Sequence, residues 1–319
     1  MGCGSDEVGI LASKKIAFVF PGQGSQCVGM GKDLAENFAA AADIFKRADD
    51  VLGYSISNMC FNGPEDDLKQ TLNTQPALFI TSAAAFEVAK EQGFVPAFTA
   101  GHSVGEYAAL YAAGVFSFED GLKLVRTRAE LMQKAAEDNP GTMAAILGLS
   151  PEQAQEVVGK AASAGVVVAA NFNSPIQTVI SGEAAAVARA SQIASESGAK
   201  RVVALNVSGG FHSPLMQGAA DALLDVLKVA QVNDPVVQVV ANFTADFEKT
   251  ADEVRANLAN QITGSVRWVE SVNKMLDAGA EVFIELGSGN VLAGLIKRIA
   301  KEAEIYSVSD KASLDAIVN

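Results

Sequence analysis

The sequence AFTAGHSVGEYAALYAA at residues 97–113 contains the pattern from which the architecture can be inferred. Its first four residues are mostly apolar and predict a short buried strand, and its alanine-rich end predicts a helix. Between them Gly101 and Gly105 flank Ser103 in the order Gly-x-Ser-x-Gly. The glycines permit a tight turn that projects the serine at a helix N-terminus, where free N–H groups stabilise negative charge. We therefore predict a nucleophile elbow, with a plain serine N-cap as the alternative.

Strand-length apolar runs and helical patterns alternate on both sides of this turn. Ile16–Phe20 predicts a buried strand that ends at a Pro-Gly pair. Two later strands are predicted at 236–240 and 282–285. Helices are predicted at 33–51, 74–92 and 118–135. This alternation predicts an α/β fold with a parallel sheet covered by helices.

Residues 138–208 follow a different order of patterns. Strand, helix, strand, strand, helix and strand are predicted in turn at 142–147, 151–163, 166–171, 177–181, 183–197 and 201–205. The order β-α-β-β-α-β is that of a ferredoxin-like unit. We therefore predict a ferredoxin-like inserted domain at 138–208, within a larger domain formed by 14–137 and 209–319.

The composition excludes several classes of protein. Hydrophobic residues make up 49% and charged residues 19% of the 319 residues, which excludes a mainly disordered chain. No apolar run reaches the ~20 residues that a membrane span needs. The net charge of −13 argues against a broad nucleic-acid surface, because phosphate binding needs clustered Lys and Arg.

The cysteines and the N-terminal residues bear on the location of the protein. Cys3, Cys27 and Cys60 lack metal-ligand spacing and even pairing, and they suit a reducing compartment. We therefore expect a cytoplasmic protein. Residues 1–13 differ from the start of a core, and we interpret them as a tag or leader remnant. If they are a transit-peptide remnant, the location is an organelle stroma instead.

Elimination finds a candidate base for Ser103, because the chain has only two histidines. His102 directly precedes the serine, and neighbours on an extended strand point to opposite sides, so it should not reach the hydroxyl. His212 remains, in a loop that leads into a helix, and a structural histidine is the alternative there. A serine needs such a base at neutral pH. No aspartate near His212 supplies the usual third, orienting group, so that role stays open.

The predicted helix at 118–135 places one charge on its apolar face. On a helical wheel its apolar residues share a broad arc, and Arg128 is the one charged residue within it. A buried arginine is costly unless it is paired. Its planar guanidinium suits bidentate binding of a carboxylate. The partner is either a substrate carboxylate or an internal Asp or Glu.

A second glycine-rich turn, PGQGSQ at 21–26, follows the first predicted strand. It departs from the dinucleotide-binding pattern Gly-x-Gly-x-x-Gly at the third glycine, where Cys27 stands. Backbone N–H groups in such a turn can still approach a ligand closely. A tight turn without a ligand is the alternative.

Five motifs occur in order along the chain. They are FPGQGSQ at 20–26, TQPA at 74–77, GHSVGEY at 101–107, NFNSP at 171–175 and FHSPLM at 211–216. Together they resemble malonyl-CoA:acyl-carrier-protein transacylases and the acyltransferase domains of fatty-acid and polyketide synthases. The resemblance covers about 15–308 and implies an α/β-hydrolase-like core with a ferredoxin-like insertion.

The resemblance implies a Ser–His dyad. Ser103 carries the acyl group, and His212 is the base, oriented by a backbone carbonyl near Gln261. Arg128 matches the arginine that binds the malonyl carboxylate. The reaction transfers malonyl from CoA to a carrier protein through malonyl-Ser103, in fatty-acid synthesis.

Further residues around the serine match positions in the family. The backbone N–H groups of Gln23 and Val104 match the oxyanion hole. His102 matches a neighbour of the serine that supports the site without acting as base. Phe211 matches the form of the motif that selects malonyl, and its ring would crowd an α-methyl group.

The resemblance also implies the partners. The substrate is malonyl-CoA and the acceptor is the phosphopantetheine thiol of a holo acyl carrier protein, with no metal and no bound cofactor. We expect a monomer without nucleic-acid or membrane partners. Lys200 and Arg201 match basic positions near the docking face for the acidic carrier, and Arg267, Lys297 and Arg298 form a second basic group. Ordinary solvated charges are the alternative for both.

Three alternatives for the function remain at this level. A free-standing acyltransferase of a polyketide synthase shares the same chemistry. A serine hydrolase or thioesterase shares the elbow but has no need of Arg128. A carrier-binding scaffold with an inactive site is the non-enzymatic alternative.

Overall fold

A computed structural model describes residues 14–318 of the chain. The interpretation of residues 1–13 as a tag or leader remnant, together with Cys3, lies outside the described residues. Within 14–318, none of the helices combines the length and the apolar character of a membrane span.

Strands and helices alternate along this part of the chain. The strands are β1 Ile16–Phe20, β2 Phe98–Gly101, β3 Thr142–Leu147, β4 Val167–Ser174, β5 Gln177–Gly182, β6 Arg201–Ala204, β7 Gln238–Val240, β8 Phe247–Glu248, β9 Val282–Leu286 and β10 Glu304–Val308. The helices are α1 Lys32–Asn37, α2 Ala39–Leu52, α3 Ile56–Asn62, α4 Glu65–Leu68, α5 Thr71–Glu91, α6 Gly105–Ala112, α7 Phe118–Asp138, α8 Pro151–Ala161, α9 Ala184–Glu196, α10 Gln217–Val229, α11 Ala251–Gln261, α12 Trp268–Asp277, α13 Val291–Ile299 and α14 Lys311–Val318.

The larger sheet has six strands in the order β10-β9-β1-β2-β7-β8. The first five run parallel, and β8 pairs antiparallel with β7 at one edge. The prediction of a parallel sheet covered by helices is confirmed, although the sequence patterns did not predict the antiparallel edge strand.

Alternate residues of β1 enter two apolar clusters, because successive side chains of a strand point to opposite faces. Phe18 and Phe20 belong to a cluster with residues of α5, α7 and α10. Ala17 and Val19 belong to a second cluster with residues of α12 and α13. Both faces of the sheet are therefore covered, as a parallel sheet requires.

The smaller sheet has the order β4-β5-β3-β6, and all its pairs are antiparallel. It follows the predicted β-α-β-β-α-β element order, and β3 has the predicted bounds. Helices α8 and α9 contribute to its core, which includes Ile146, Ile180 and Val187. The N-terminus of α8 carries a capping box between Ser150 and Gln153, which fixes where that helix begins.

Two sequence predictions were wrong in detail. The single helix predicted at 33–51 is two helices, because Phe38 adopts an extended conformation with φ −130° and ψ 124° between α1 and α2. The strand predicted at 236–240 begins only at Gln238. Val236 is 81% exposed, and its N–H donates to the carbonyl of Ala113 instead of to a neighbouring strand.

Candidate active site

The turn after β2 holds Ser103 in a strained conformation before α6. Its φ is 53°, in the left-handed region that residues other than glycine rarely adopt. A Cβ on Gly101 would lie 1.9 Å from the carbonyl carbon of Gly105, and one on Gly105 would lie 2.2 Å from the carbonyl oxygen of Phe20. Only glycines fit where these two residues approach each other and where Gly105 approaches β1. The N-cap alternative is wrong, because Val104 is the N-cap of α6 and the serine hydroxyl bonds elsewhere.

The Ser103 hydroxyl lies within hydrogen-bond distance of His212, which is buried and also has a positive φ, 56°. Ser103 Oγ is 2.8 Å from His212 Nε2, and His212 Nδ1 is 2.8 Å from the backbone oxygen of Gln261. A carbonyl only accepts hydrogen bonds, so Nδ1 carries the proton and Nε2 of the neutral ring is left as an acceptor for the serine proton. Burial, followed by the charge of Arg128, lowers the pKa of His212 to about 3. The ring is therefore neutral at pH 7, as a base must be.

Arg128 projects from α7 into the same site and is 1% exposed. Its Nη2 donates to Ser103 Oγ at 3.1 Å and to Gln261 Oε1 at 2.9 Å, and its Nη1 donates to Gln75 Oε1 at 2.6 Å. No carboxylate of residues 14–318 lies within 4.0 Å of the guanidinium, so the internal ion pair is not observed there. Burial lowers the pKa of Arg128 from its ordinary value. Arginine side chains nevertheless remain protonated in proteins.

His102 points away from the serine hydroxyl, as the strand geometry predicts. Its Nε2 is 2.8 Å from Asn173 Oδ1, and its ring meets the edge of Trp268 with 5.7 Å between centroids. Burial lowers the pKa of His102, so this ring is also neutral at pH 7. The contact with Asn173, on β4, links the elbow to the smaller sheet.

A cavity of about 250 Å³ lies over Ser103, His212 and Arg128, and residues from both sheet units line it. Gln23 and Val104 are in its wall, and their backbone N–H groups donate to no acceptor among residues 14–318. The buried Phe211 lines the same cavity. Within the described part of the chain, no three His, Cys, Asp or Glu side chains form a group that could hold a metal ion.

The family described as "Acyl transferase domain" matches residues 17–314. The chain belongs to this acyltransferase family. The acyltransferase is 45% identical to the malonyl CoA-acyl carrier protein transacylase of Bacillus subtilis, over 95% of this chain and 96% of that protein. It is 41% identical to the malonyl CoA-acyl carrier protein transacylase of Escherichia coli K12, over 95% of this chain and 98% of that one. These findings confirm the resemblance that the five motifs indicate.

Solved structures agree with this membership. An acyl carrier protein S-malonyltransferase from Vibrio cholerae superposes on the acyltransferase with a TM-score of 0.92, at 45% identity over 95% of this chain and 99% of that chain. The malonyl-transacylase PlMCAT, solved in complex with the type II PKS acyl-carrier protein AntF, gives a TM-score of 0.93 at 41% identity, over 95% and 99% of the two chains.

The acyltransferase also contains a buried polar cluster whose internal contacts the sequence did not predict. We define it as Gln75, Glu106, Arg128, Asn242 and Gln261. Asn242 accepts from the backbone N–H of Ser103 at 2.7 Å and donates to the carbonyl of Gly101 at 2.6 Å, so it holds both sides of the elbow. Burial raises the pKa of the Glu106 carboxyl to about 7.

Arg128 and Gln261 are predicted site residues, Glu106 lies in the GHSVGEY motif, and weaker signals for the other two members are visible in the sequence. Gln75 lies in the TQPA motif, and Asn242 follows closely after β7, at the carboxyl end of a parallel strand, where ligands of such sheets bind. Neither signal indicates which partner each residue would meet.

The basic residues predicted for docking lie outside the cavity of the acyltransferase. Arg201 of β6 pairs with Leu147, Leu147 pairs with Gln177, and Gln177 accepts a hydrogen bond of 3.1 Å from Arg298. Lys200 stands beside Arg201 and its backbone N–H donates to Leu147. We call Lys200, Arg201 and Arg298 the basic edge.

The remaining predicted basic residues do not share this arrangement. Arg267 forms an ion pair with Glu270, and Lys297 donates to the backbone oxygen of Ala303 at 2.6 Å.

Proposed function

We propose that this acyltransferase transfers the malonyl group from malonyl-CoA to the phosphopantetheine thiol of an acyl carrier protein, through a malonyl-Ser103 intermediate, in fatty-acid synthesis. One observation carries the proposal: a buried guanidinium without a carboxylate partner in 14–318 donates to the hydroxyl of a serine that is also bonded to a neutral histidine. A free carboxylate two carbons from the reacting thioester carbon, as in malonate, would face Arg128.

The first half-reaction acylates the serine. His212 Nε2 takes the hydroxyl proton as Ser103 Oγ forms a bond to the thioester carbon, and the carbonyl oxygen becomes an oxyanion. The free N–H groups of Gln23 and Val104 would stabilise that charge. The C–S bond then breaks, the CoA thiolate takes the proton from His212, and malonyl-Ser103 remains.

The second half-reaction reverses these roles. The phosphopantetheine thiol gives its proton to His212 and attacks the ester carbon of malonyl-Ser103. The C–O bond breaks, and Ser103 Oγ recovers the proton from His212. The exchange consumes no water and needs no metal or bound cofactor, and the thiol supplied by the carrier is its only second substrate.

Arg128 would bind the malonyl carboxylate in both half-reactions. The guanidinium is held by two amide oxygens, Gln75 Oε1 and Gln261 Oε1, and neither is ionised, so no hydrogen-bonded carboxylate neutralises its charge. Removing one partner of a charged, hydrogen-bonded pair in such a desolvated site costs about 2–5 kcal/mol of binding free energy. Acyl groups without a carboxylate would leave that charge buried and unpaired.

The backbone carbonyl of Gln261 would replace the aspartate of a Ser-His-Asp triad. It orients the ring and selects the tautomer through the bond to Nδ1, although it adds no negative charge. Phe211 in the wall of the cavity would disfavour an α-methyl group on the acyl chain, by the ~1–3 kcal/mol that one methyl group is worth in a pocket. His102 would support the elbow through Asn173 without taking a proton.

The basic edge would attract the acidic carrier protein. The net charge of −13 repels such a partner at long range, so docking needs a local group of opposite charge. Lys200 and Arg201 lie where β6 begins, at one end of the smaller sheet, and Arg298 of α13 contacts the cavity residue Gln177, where β5 begins at the same end.

We also propose a finer description of the fold, in which a small unit is inserted into a larger domain. The smaller sheet has its four strands in the chain order 2-3-1-4, which supports a ferredoxin-like unit at 138–208 inserted into an α/β-hydrolase-like domain at 14–137 and 209–319. The strand–elbow–helix geometry at Ser103 supports the hydrolase-like description. Cys27 and Cys60 are free thiols, which supports a cytoplasmic location.

The proposed function is tested by intact-mass measurement after incubation with malonyl-CoA. We expect the wild-type protein to gain one malonyl group, to lose it when a holo acyl carrier protein is added, and the carrier to gain it. Ser103→Ala should gain none. An unmodified wild-type protein that also releases no CoA would contradict the proposal, and release of CoA with free malonate would indicate a hydrolase. Comparing carriers of fatty-acid and polyketide origin distinguishes the two pathways.

A further inference from the structure

Glu106 is a buried carboxyl group directly behind the reacting serine. It lies in the first turn of α6, three residues after Ser103, and is fully buried. It is not in the wall of the cavity and does not contact Arg128 within 4.0 Å. The mechanism proposed above gives it no role, although burying a carboxyl group without a positively charged contact is costly.

The contacts of Glu106 determine which way the side-chain amide of Gln261 faces. Gln261 Nε2 donates to Glu106 Oε2 at 2.8 Å and to the backbone oxygen of Ser103 at 3.0 Å. Both partners accept hydrogen bonds, so the amide nitrogen must face them. The amide oxygen is then left to accept from Arg128 Nη2 at 2.9 Å. The opposite orientation would set the NH₂ group against the guanidinium and the oxygen against a carboxyl oxygen.

The same oxygen of Glu106 also holds the elbow. Glu106 Oε2 accepts from the backbone N–H of Asn242 at 2.9 Å, and Asn242 in turn bonds both Ser103 and Gly101. One acceptor atom thus connects the residue that braces the nucleophile with the residue that orients the arginine.

We propose that Glu106 is a positioning residue that fixes the Gln261 amide, and through it the Arg128 guanidinium, so that the site selects acyl groups with a free carboxylate. This inference rests on the proposed function. Gln261 lies between the carboxyl group and the guanidinium, so the two groups interact only at a distance and Glu106 orients Arg128 without occupying its N–H donors. A direct Glu106–Arg128 ion pair would instead occupy the charge that the substrate needs.

The positioning role does not depend on whether Glu106 is ionised. Oε2 accepts both hydrogen bonds, whereas Oε1 has no hydrogen-bond partner among residues 14–318. A proton on Oε1 would leave the two acceptor bonds of Oε2 intact. A glutamine at this position preserves one acceptor oxygen and the same shape, so it is the conservative substitution.

The test compares Glu106→Gln and Glu106→Leu by the single-turnover rate of Ser103 acylation from malonyl-CoA and from acetyl-CoA. We expect Glu106→Gln to keep the malonyl-over-acetyl ratio within about threefold of wild type. Glu106→Leu removes the acceptor that fixes the Gln261 amide, so the hydrogen bond from Arg128 to Gln261 is no longer held in place. We expect the malonyl-over-acetyl ratio to fall about 10- to 100-fold, because a hydrogen bond to a charged group is worth about 1.5–3 kcal/mol. The lower rate of acylation by malonyl-CoA should appear mainly as a higher half-saturating concentration of malonyl-CoA, and less as a lower maximal rate.

Glu248→Leu is the matched control for Glu106→Leu, because Glu248 is also a buried carboxyl group but bonds Asn257 and not Gln261. It should keep the wild-type ratio. Equal losses for malonyl and acetyl in Glu106→Leu would overturn the proposal, because they would indicate a role in the elbow alone. An unchanged ratio would overturn it as well.

If Glu106→Leu does not fold, Glu106→Asp replaces it. The shorter side chain withdraws the carboxyl group from Gln261, so the ratio should fall by at least about threefold. A wild-type ratio in the aspartate variant would then overturn the proposal. Wild-type protein that is not acylated by malonyl-CoA at all would contradict the proposed function instead, so the two failures are distinguishable.

Discussion

The polar cluster behind Ser103 and the apolar core of the smaller sheet are equally buried but have opposite chemistry. Glu106, Arg128 and Gln261 are at most 1% exposed, as are Ile146 and Ile180. Burying the apolar pair stabilises the fold by about 1.5–3 kcal/mol for each side chain. Burying the polar groups is costly unless each finds a partner, and Arg128 Nε and Glu106 Oε1 have none among residues 14–318. The apolar core therefore stabilises the protein, whereas the polar cluster holds an arrangement that we propose for substrate binding.

The largest effect is expected from Arg128→Ala in the polar cluster. Removing the guanidinium should lower kcat/KM for malonyl-CoA about 100- to 1000-fold, since about 3–4 kcal/mol of carboxylate binding is lost. Acylation by acetyl-CoA should fall far less or rise, so the preference for malonyl should be lost. Steady-state kinetics with both thioesters provides the measurement. Arg126→Ala, which removes the exposed pair with Glu130 and a contact with the Tyr54 ring, both outside the cavity, is the control. Retention of full malonyl preference would show that the carboxylate is bound elsewhere.

The apolar core should give the opposite result. Ile146→Ala should lower the free energy of unfolding by about 2–5 kcal/mol, because it removes buried methyl groups and leaves a cavity. The rate of Ser103 acylation per folded molecule should stay within about twofold of wild type. Denaturant titration and active-site titration by acylation measure the two quantities. Ile146→Val should cost only about 1 kcal/mol. A large loss of rate without loss of stability would mean that the smaller sheet also positions the site.

The pH dependence of acylation gives a smaller effect and sharpens the comparison. Burial and Arg128 lower the pKa of His212 to about 3, so the neutral, basic form persists at every pH above that value. The rate of Ser103 acylation should therefore not decline between about pH 7 and about pH 5, where a histidine of ordinary pKa near 6.5 would lose its basic form. Arg128→Ala removes one of the two named causes of the lowered pKa of His212, so the pH below which the acylation rate declines should be higher in this variant. Stopped-flow acylation across this range is the measurement, and a limb near pH 6.5 in wild type would contradict it.

The smallest effect is expected at the basic edge, outside both regions. Arg201→Glu should raise KM for the carrier protein about three- to tenfold and leave acylation by malonyl-CoA unchanged, because exposed charges steer a partner without touching the reaction. Arg189→Glu, on the exposed face of α9, is the matched control and should leave KM for the carrier within about twofold of wild type. The effect of Arg201→Glu should diminish at high salt. Equal KM values for Arg201→Glu and Arg189→Glu would remove the basic edge from the docking surface.

The two regions also differ in how far the sequence predicts them. The smaller sheet follows from local patterns: alternation and helical periodicity predict its element order, and β3 has the predicted bounds. Phe38 is the counter-example in the larger unit, because its extended conformation interrupts a continuous helical pattern. Short-range periodicity does not reveal a single residue that leaves the helix.

The site was predictable only where chemistry restricts the choice. Two histidines leave one candidate base, and one charge on an apolar helix face identifies Arg128. The contacts within the polar cluster were not predictable, although Arg128 itself was, because they join residues far apart in the chain. Gln75 and Arg128 are 53 residues apart, and Glu106 and Gln261 are 155 apart. No local pattern encodes which distant amide will face which donor.

The left-handed backbone at Ser103 and His212 has a consequence for how this protein could have evolved. Three residues other than glycine have a positive φ in residues 14–318, and two of them are this serine and this histidine. Glycine would adopt either conformation with less strain, so selection for folding alone would favour it at both positions. A side chain stands at both positions despite that strain, and the proposed mechanism uses both side chains.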